Sequence, residues 1–204
     1  YVQTATPDSK FGFSVADGAA LAMTRHVLSK KHLRLRGFHC HIGSQIFEEQ
    51  SFVLAAEKMC AFIASVKAET GFEADTLNLG GGFGIWYTDE DAKLPVDGYR
   101  GYLSALISAV KKGCGELGLK EPFLLIEPGR SIVGEAGITL YTVGAIKEIP
   151  GIRKFLAVDG GMFDNPRYCL YQSKYTAVLA NRASEQPTER VAIAGKCCES
   201  GDLI

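Results

Sequence analysis

Three short apolar runs each stop abruptly in a polar or glycine-rich cluster, and a helix or a long loop follows each one. Leu33–Cys40 (LRLRGFHC) alternates as a strand does and ends at His41-Ile42-Gly43-Ser44. Thr76–Leu79 runs into Gly80-Gly81-Gly82, and Phe123–Ile126 stops at Glu127-Pro128-Gly129-Arg130. Between the first two runs, Phe52, Ala55, Met59, Phe62, Ile63 and Val66 recur at three- and four-residue steps. That spacing predicts one helix face from about Glu48 to Glu69, halted by Gly71. Tyr99, Leu103, Leu106, Ile107 and Val110 mark a second helix. His41 and Gly80 are 39 residues apart, and Gly80 and Glu127 are 47 apart, the scale of a strand, a helix and generous loops. Consecutive units of this kind build a parallel sheet, closed as a barrel or doubly wound. In both, ligand groups gather at the carboxyl ends of the strands. The polar clusters sit there.

From about Ile138 the pattern changes. Ile138, Leu140 and Ile146 fall on one side of a period-2 reading of ITLYTVGAIKEI. Short strands are expected at Arg153–Val158, Tyr175–Ala180 and Val191–Ala194, separated by turn residues, with no helical face between them. The expectation is α/β plus β: residues 1–136 form a barrel portion and residues 137–204 an antiparallel β domain. The chain opens on the polar YVQTATPDSK and stops at CCESGDLI, so both ends read as cut, and a targeting peptide upstream remains compatible with it.

Lys and Arg total 22 against 23 for Asp and Glu, a net charge of −1. That balance offers no field for steering to nucleic acid or an anionic membrane, and no apolar run approaches a membrane span. A charged ligand has to be held by local groups. The six cysteines include no CxxC pair, and scattered free thiols point to a reducing compartment, hence the cytoplasm.

The clusters admit plain and functional readings. Gly80-Gly81-Gly82 serves equally as a tight turn or as a phosphate cradle of close backbone and converging N–H groups. Neither a dinucleotide fingerprint nor a Walker lysine is present. His39-Cys40-His41 would place two imidazoles on one face of a strand, but no second cluster completes a metal site, so none is expected. His39 reads as structural, whereas His41, beside Gly43 and Ser44 at a strand end, is better suited to a ligand. Glu127 and Arg130 could be a surface ion pair of little worth. The intervening Pro128-Gly129 fixes an unusual turn and favours a positioned pair. Turn formation accounts for most of Asp159-Gly160-Gly161 and Asp164-Asn165-Pro166-Arg167. A hairpin tip accounts for the acids and glycine of Cys198-Glu199-Ser200-Gly201-Asp202, but not for the cysteine.

Together the clusters stop being independent. SKFG (Ser9–Gly12), HIGSQ, LGGGFG, EPGR, DGGMFDNPRYCLY and CESGD follow one another in the order found in the alanine-racemase-fold (fold type III) decarboxylases, which use pyridoxal 5'-phosphate. The chain resembles that family from Lys10 to Asp202. Its last two motifs look like the diaminopimelate decarboxylases.

The resemblance implies part of a TIM (β/α)8 barrel followed by part of a β domain, in a homodimer with shared active sites. It places His41 against the cofactor ring, and Ser44, Gly80, Gly81 and Gly82 on the phosphate. Glu127 would face the pyridine nitrogen, where a carboxylate favours the protonated ring. Pro128, Gly129 and Arg130 would also lie against the cofactor. Arg130, Arg167 and Tyr171 match positions that grip a distal carboxylate, a task suited to the guanidinium fork. Glu199 matches the acid that pairs with a distal ammonium. Cys198 matches a proton donor supplied across the dimer interface, and its acidic neighbours Glu199 and Asp202 should keep it a thiol.

The family's Schiff-base lysine lies in an early barrel strand upstream of SKFG, and no lysine here occupies such a context. The chain by itself is therefore expected to be inactive. The implied reaction is release of CO2 from meso-diaminopimelate to give lysine. A decarboxylase for arginine, ornithine or carboxynorspermidine is the nearest rival. A non-catalytic binding homologue is another, disfavoured by the intact CESGD.

Overall fold

The computed structural model describes residues 9–94 and 97–204; residues 1–8 of the polar opening lie outside them. The chain divides into two compact units, one of residues up to Ile85 together with Ala92–Glu135, the other of Trp86–Asp91 with Ala136–Ile204.

In the first unit, helix α1 (Ala19–Leu28) precedes strand β1 (Gly37–His39), helix α2 (Glu49–Thr70), strand β2 (Thr76–Asn78), helix α3 (Arg100–Leu117), strand β3 (Phe123–Leu125) and the short helix α4 (Gly129–Val133). The three strands are parallel, in the order β1-β2-β3. β1 is shorter than the expected Leu33–Cys40. Register sets Phe38, Leu77 and Leu124 in one row across the sheet. Leu77 is fully buried among the residues of α2 and α3, and Phe38 and Leu124 pack against that core. The next row, His39, Asn78 and Leu125, belongs to the opposite face, because successive strand residues alternate.

α2 buries Phe52, Ala56, Met59, Cys60, Phe62, Ile63 and Val66, close to the face expected from its periodicity. It ends at Gly71, whose φ of 71° lies in the left-handed region where glycine is unstrained. α3 meets it with Tyr102, Leu106, Ala109, Val110 and Cys114. Gly113 lets the helices close in: a Cβ there would lie 3.0 Å from Cys60 Sγ. Burial pushes the Cys60 thiol up to about 11, with Cys114 beside it adding to the effect.

In the second unit, strand β4 (Val143–Ile149) pairs antiparallel with β5 (Arg153–Val158) around the Pro150-Gly151 turn. β5 pairs parallel with β6 (Ala192–Ala194), which corrects the purely antiparallel expectation. The reason is connection length: a tight turn can only reverse the chain, whereas the long passage from Val158 to Ala192 allows a crossover. That passage includes helix α5 (Arg167–Tyr171), where no helix was expected. The expected strand at Tyr175–Ala180 does not form. Its side chains are engaged otherwise, with Thr176 Oγ1 donating to the Tyr87 carbonyl at 2.7 Å and Tyr175 packing edge-on to Tyr87. Ile138 and Leu140 precede β4, and they and Ile146 are exposed rather than forming a buried face. Among the described residues no helix is long and apolar enough to cross a membrane.

Candidate functional site

The carboxyl ends of β1, β2 and β3 are stitched together past the strands themselves. Cys40 N donates to Asn78 O at 2.9 Å, Leu79 N to Leu125 O at 3.0 Å, and Glu127 N to Gly80 O at 2.7 Å. His41, Gly80-Gly81-Gly82 and Glu127 are thereby gathered at one end of the sheet. The glycines are needed for close approach. A Cβ on Gly81 would lie 2.0 Å from the Glu127 carbonyl oxygen, and one on Gly82 would lie 2.1 Å from that of Gly43.

The loop between β1 and α2 is locked onto the glycine segment. Ile46 N donates to Gly82 O and Gly84 N to Ile46 O, each at 2.9 Å. Gln45 donates through Nε2 to Ile85 O at 2.6 Å and accepts from Ile85 N at 3.2 Å, its side-chain amide acting as one more strand residue. Two hydroxyls on or beside α3 anchor both segments from below: Tyr99 donates to Gly84 O at 2.8 Å and Tyr102 to Phe47 O at 2.6 Å. Phe83 points down between them, stacked on Phe52 at 4.7 Å and edge-on to Tyr99 and Tyr102.

At the rim, Gly81 N approaches His41 Nδ1 at 3.4 Å. In a neutral imidazole this leaves the proton on Nε2. The His41 side chain is exposed. Glu127 is held by Asn78, whose Nδ2 donates to Oε1 at 2.7 Å, and lies 3.6 Å from His39 Nε2 through Oε2. Arg130 Nη2 donates to Ser44 Oγ at 2.8 Å. Pro128 caps the start of α4, and its carbonyl accepts from both Ser131 N and Ser131 Oγ, so the EPGR turn leads into the first turn of a short helix. His39, Asn78, Gln45 and the two tyrosines were not singled out for function by sequence. Each lies inside a strand, a motif or a helix whose ordinary patterning accounts for it.

The second unit holds Arg167, Tyr171, Cys198 and Glu199. Arg167 and Tyr171 share α5, the guanidinium carbon 5.5 Å from the centre of the ring. Arg167 Nε is buried and has no hydrogen-bond partner among the described residues. Cys198 and Glu199 are exposed on a turn closed by Asp202 N donating to Glu199 O at 3.0 Å. Asp202 is buried. Its Oδ1 accepts from Met162 N at 2.6 Å and its Oδ2 from Cys197 N at 2.7 Å, tying this turn to the Gly160-Gly161 loop. Cys169 Sγ, on α5, donates to Gly201 O at 3.0 Å, so α5 is tied to the same turn. Burial first, and then Asp202, pushes the thiol of Cys197 upward; the effect of Asp202 falls on this neighbour of Cys198.

Among the described residues no group of three or more His, Cys, Asp or Glu is arranged to hold a metal ion. A cleft of about 390 Å3 runs along β1, lined by Val27, Leu33, Leu35 and Phe38 among others. None of the residues assigned to cofactor or substrate lines it.

Residues 1–134 match the family described as pyridoxal-dependent decarboxylase, pyridoxal binding domain. Over its full length the chain is 50% identical to a diaminopimelate decarboxylase of Bacillus subtilis, of which it covers 46%, and 47% identical to one of Staphylococcus aureus, of which it covers 47%. It thus spans just under half the length of these relatives. Among solved structures, a diaminopimelate decarboxylase from M. jannaschii superposes with a TM-score of 0.80 at 34% identity, over 97% of this chain and 43% of that one. One from Helicobacter pylori, complexed with L-lysine, gives a TM-score of 0.77 at 26% identity, over 100% of this chain and 46% of that one.

Proposed function

The chain belongs to the pyridoxal-dependent decarboxylase family, and on that footing we propose that the whole protein is a diaminopimelate decarboxylase, releasing CO2 from meso-diaminopimelate and leaving L-lysine. The observation that carries the substrate is Arg167: a guanidinium beside Tyr171 whose buried Nε lacks a partner. A buried unpaired donor on a charged group is costly, and a substrate carboxylate satisfies it.

The residues at the strand ends suit pyridoxal phosphate. Gly81 and Gly82 sit where a Cβ would strike the Glu127 and Gly43 carbonyls, so glycine is what lets the strand-end backbone gather there, beside Ser44, whose hydroxyl can add a donor to a phosphate. When bound, the cofactor supplies the electron sink for the carbanion left as CO2 departs. His41 offers its flat face to the ring, and Glu127 pairs with the ring nitrogen as a carboxylate. Pro128 and Gly129 start the helical turn that sets Glu127 and Arg130 at the rim. Arg130, Arg167 and Tyr171 bind the distal carboxylate, and Glu199 the distal ammonium. Cys198 delivers its Sγ proton to the carbon that has lost CO2, on the face where a second subunit of a homodimer contributes the residue. The two units are parts of a TIM barrel and of a β domain in this reading.

The test is to assay the whole protein with meso-diaminopimelate, lysine, ornithine and arginine. Without the distal carboxylate, the buried Nε of Arg167 is left without a partner, at a cost of roughly 2–5 kcal/mol, so the three simple amino acids should be turned over at least about thirtyfold less efficiently. Comparable turnover of ornithine would sink the substrate assignment.

A further inference from the structure

Glu127 does not aim itself. Its side chain leaves the end of β3 next to two residues of the same cross-strand row, Asn78 on β2 and His39 on β1. Asn78 makes two hydrogen bonds in opposite senses: its Oδ1 accepts from Gly80 N at 2.9 Å, and its Nδ2 donates to Glu127 Oε1 at 2.7 Å. The first bond fixes the second. An amide whose oxygen is committed to a backbone N–H must present its nitrogen on the other side, so the flip is settled by chemistry. Asn78 therefore offers Glu127 a donor only, which suits a carboxylate and orients one of its oxygens. Oε2, 3.6 Å from His39 Nε2, is the less tightly engaged of the two.

We infer that Asn78 is a positioning residue that links the glycine turn to the acid: it fixes Glu127 Oε1 so that Oε2 is presented toward the cofactor ring nitrogen. The inference rests on the reading of Glu127 as the partner of that nitrogen. The strand geometry makes Asn suited to the position. An aspartate would keep the bond to Gly80 N but set a carboxylate against a carboxylate, and an alanine would lose both bonds.

The experiment uses the whole protein, stripped of cofactor and titrated with pyridoxal phosphate, reading the dissociation constant and the absorption band of the bound cofactor, then kcat and KM. Asn78→Asp should melt within a few degrees of wild type, because the Gly80 contact survives. Its cofactor affinity should fall about ten- to hundredfold, the value of one hydrogen bond to a charged group. kcat should fall with it, while KM for diaminopimelate moves little. Asn78→Asp combined with Glu127→Gln should bind cofactor no worse than Glu127→Gln alone, since the two residues act as one unit and the Gln amide can again meet the Asp oxygen. If Glu127→Gln is impaired while Asn78→Asp behaves as wild type, Asn78 only shapes the turn and the inference is overturned by itself. If Glu127→Gln leaves cofactor affinity, spectrum and kcat unchanged, the assignment of Glu127 fails, and the inference falls with it.

Discussion

Ser44 and Arg130 stand 86 residues apart, and Arg130 Nη2 donates to the Ser44 hydroxyl oxygen at 2.8 Å. The contact joins the loop after β1 to the first turn of α4. Because the serine oxygen accepts from the guanidinium, its own O–H is left free to donate to another group. Ser44→Ala in the whole protein should therefore weaken cofactor binding roughly tenfold or more, as for loss of a hydrogen bond to a charged group. The substrate KM should stay near wild type. A cofactor titration checks the first, and steady-state kinetics the second.

Two glycines proposed to lie against the cofactor should respond differently to alanine. Gly81→Ala would drive a Cβ to 2.0 Å from the Glu127 carbonyl oxygen, and backbone cannot yield as a side chain can. Nothing lies within 4 Å of a Cβ at Gly129. Absorbance of bound cofactor should be lost in the first variant and kept in the second. Equal tolerance of both would show that close approach at Gly81 is not required.

Cys198 should act in the neighbouring subunit's site. Cys198→Ala should slow product formation by about 10²–10⁴, the usual span for a lost general acid, with the cofactor band intact. Mixing this variant with one lacking the cofactor-bonding lysine should restore a fraction of wild-type activity after subunit exchange, because one site in each hybrid then has both groups. Persistent inactivity after verified exchange would assign Cys198 to its own subunit or remove it from the chemistry.

Thiol titration should make the first unit lose stability in alkali. Burial pushes Cys40 and Cys60 from the ordinary 9.0 up to about 11. The fold thus holds these protons more tightly than the unfolded chain. Their contribution is whole below pH 9 and disappears as pH rises toward about 11. Melting temperatures of wild type and Cys60→Ala, compared at neutral pH and near pH 10.5, should show a smaller alkaline drop in the variant.

Much of this was legible in the sequence because apolar alternation and glycine stops are local signals. α2 and α3 emerge from their spacing, and the His41, Gly81 and Glu127 clusters from the strands they terminate. What sequence periodicity does not encode is direction and pairing. Nothing in Ala192–Ala194 says that it runs parallel to β5; the length of the intervening connection permits it. α4 and α5, five residues each, are too short for a helical period to show. Asn78 alternates like any strand residue, and only the register that places it opposite Leu125, two residues before Glu127, gives it a partner. Asp202 looks like a turn-former in CESGD and proves to be the buried bond between two loops.

The downward-pointing Phe83 has an energetic consequence for the glycines before it. Gly80-Gly81-Gly82 is a segment with more conformational freedom to lose than most, since ordering a residue costs about 1–2 kcal/mol and glycine lies at the upper end. A loop of that composition left free would surrender this entropy each time it closed on a phosphate. Here the ring, wedged among Phe52, Tyr99 and Tyr102, fixes the loop as part of folding. The apolar core meets that cost in advance, and a ligand arriving at the glycines meets a surface already set.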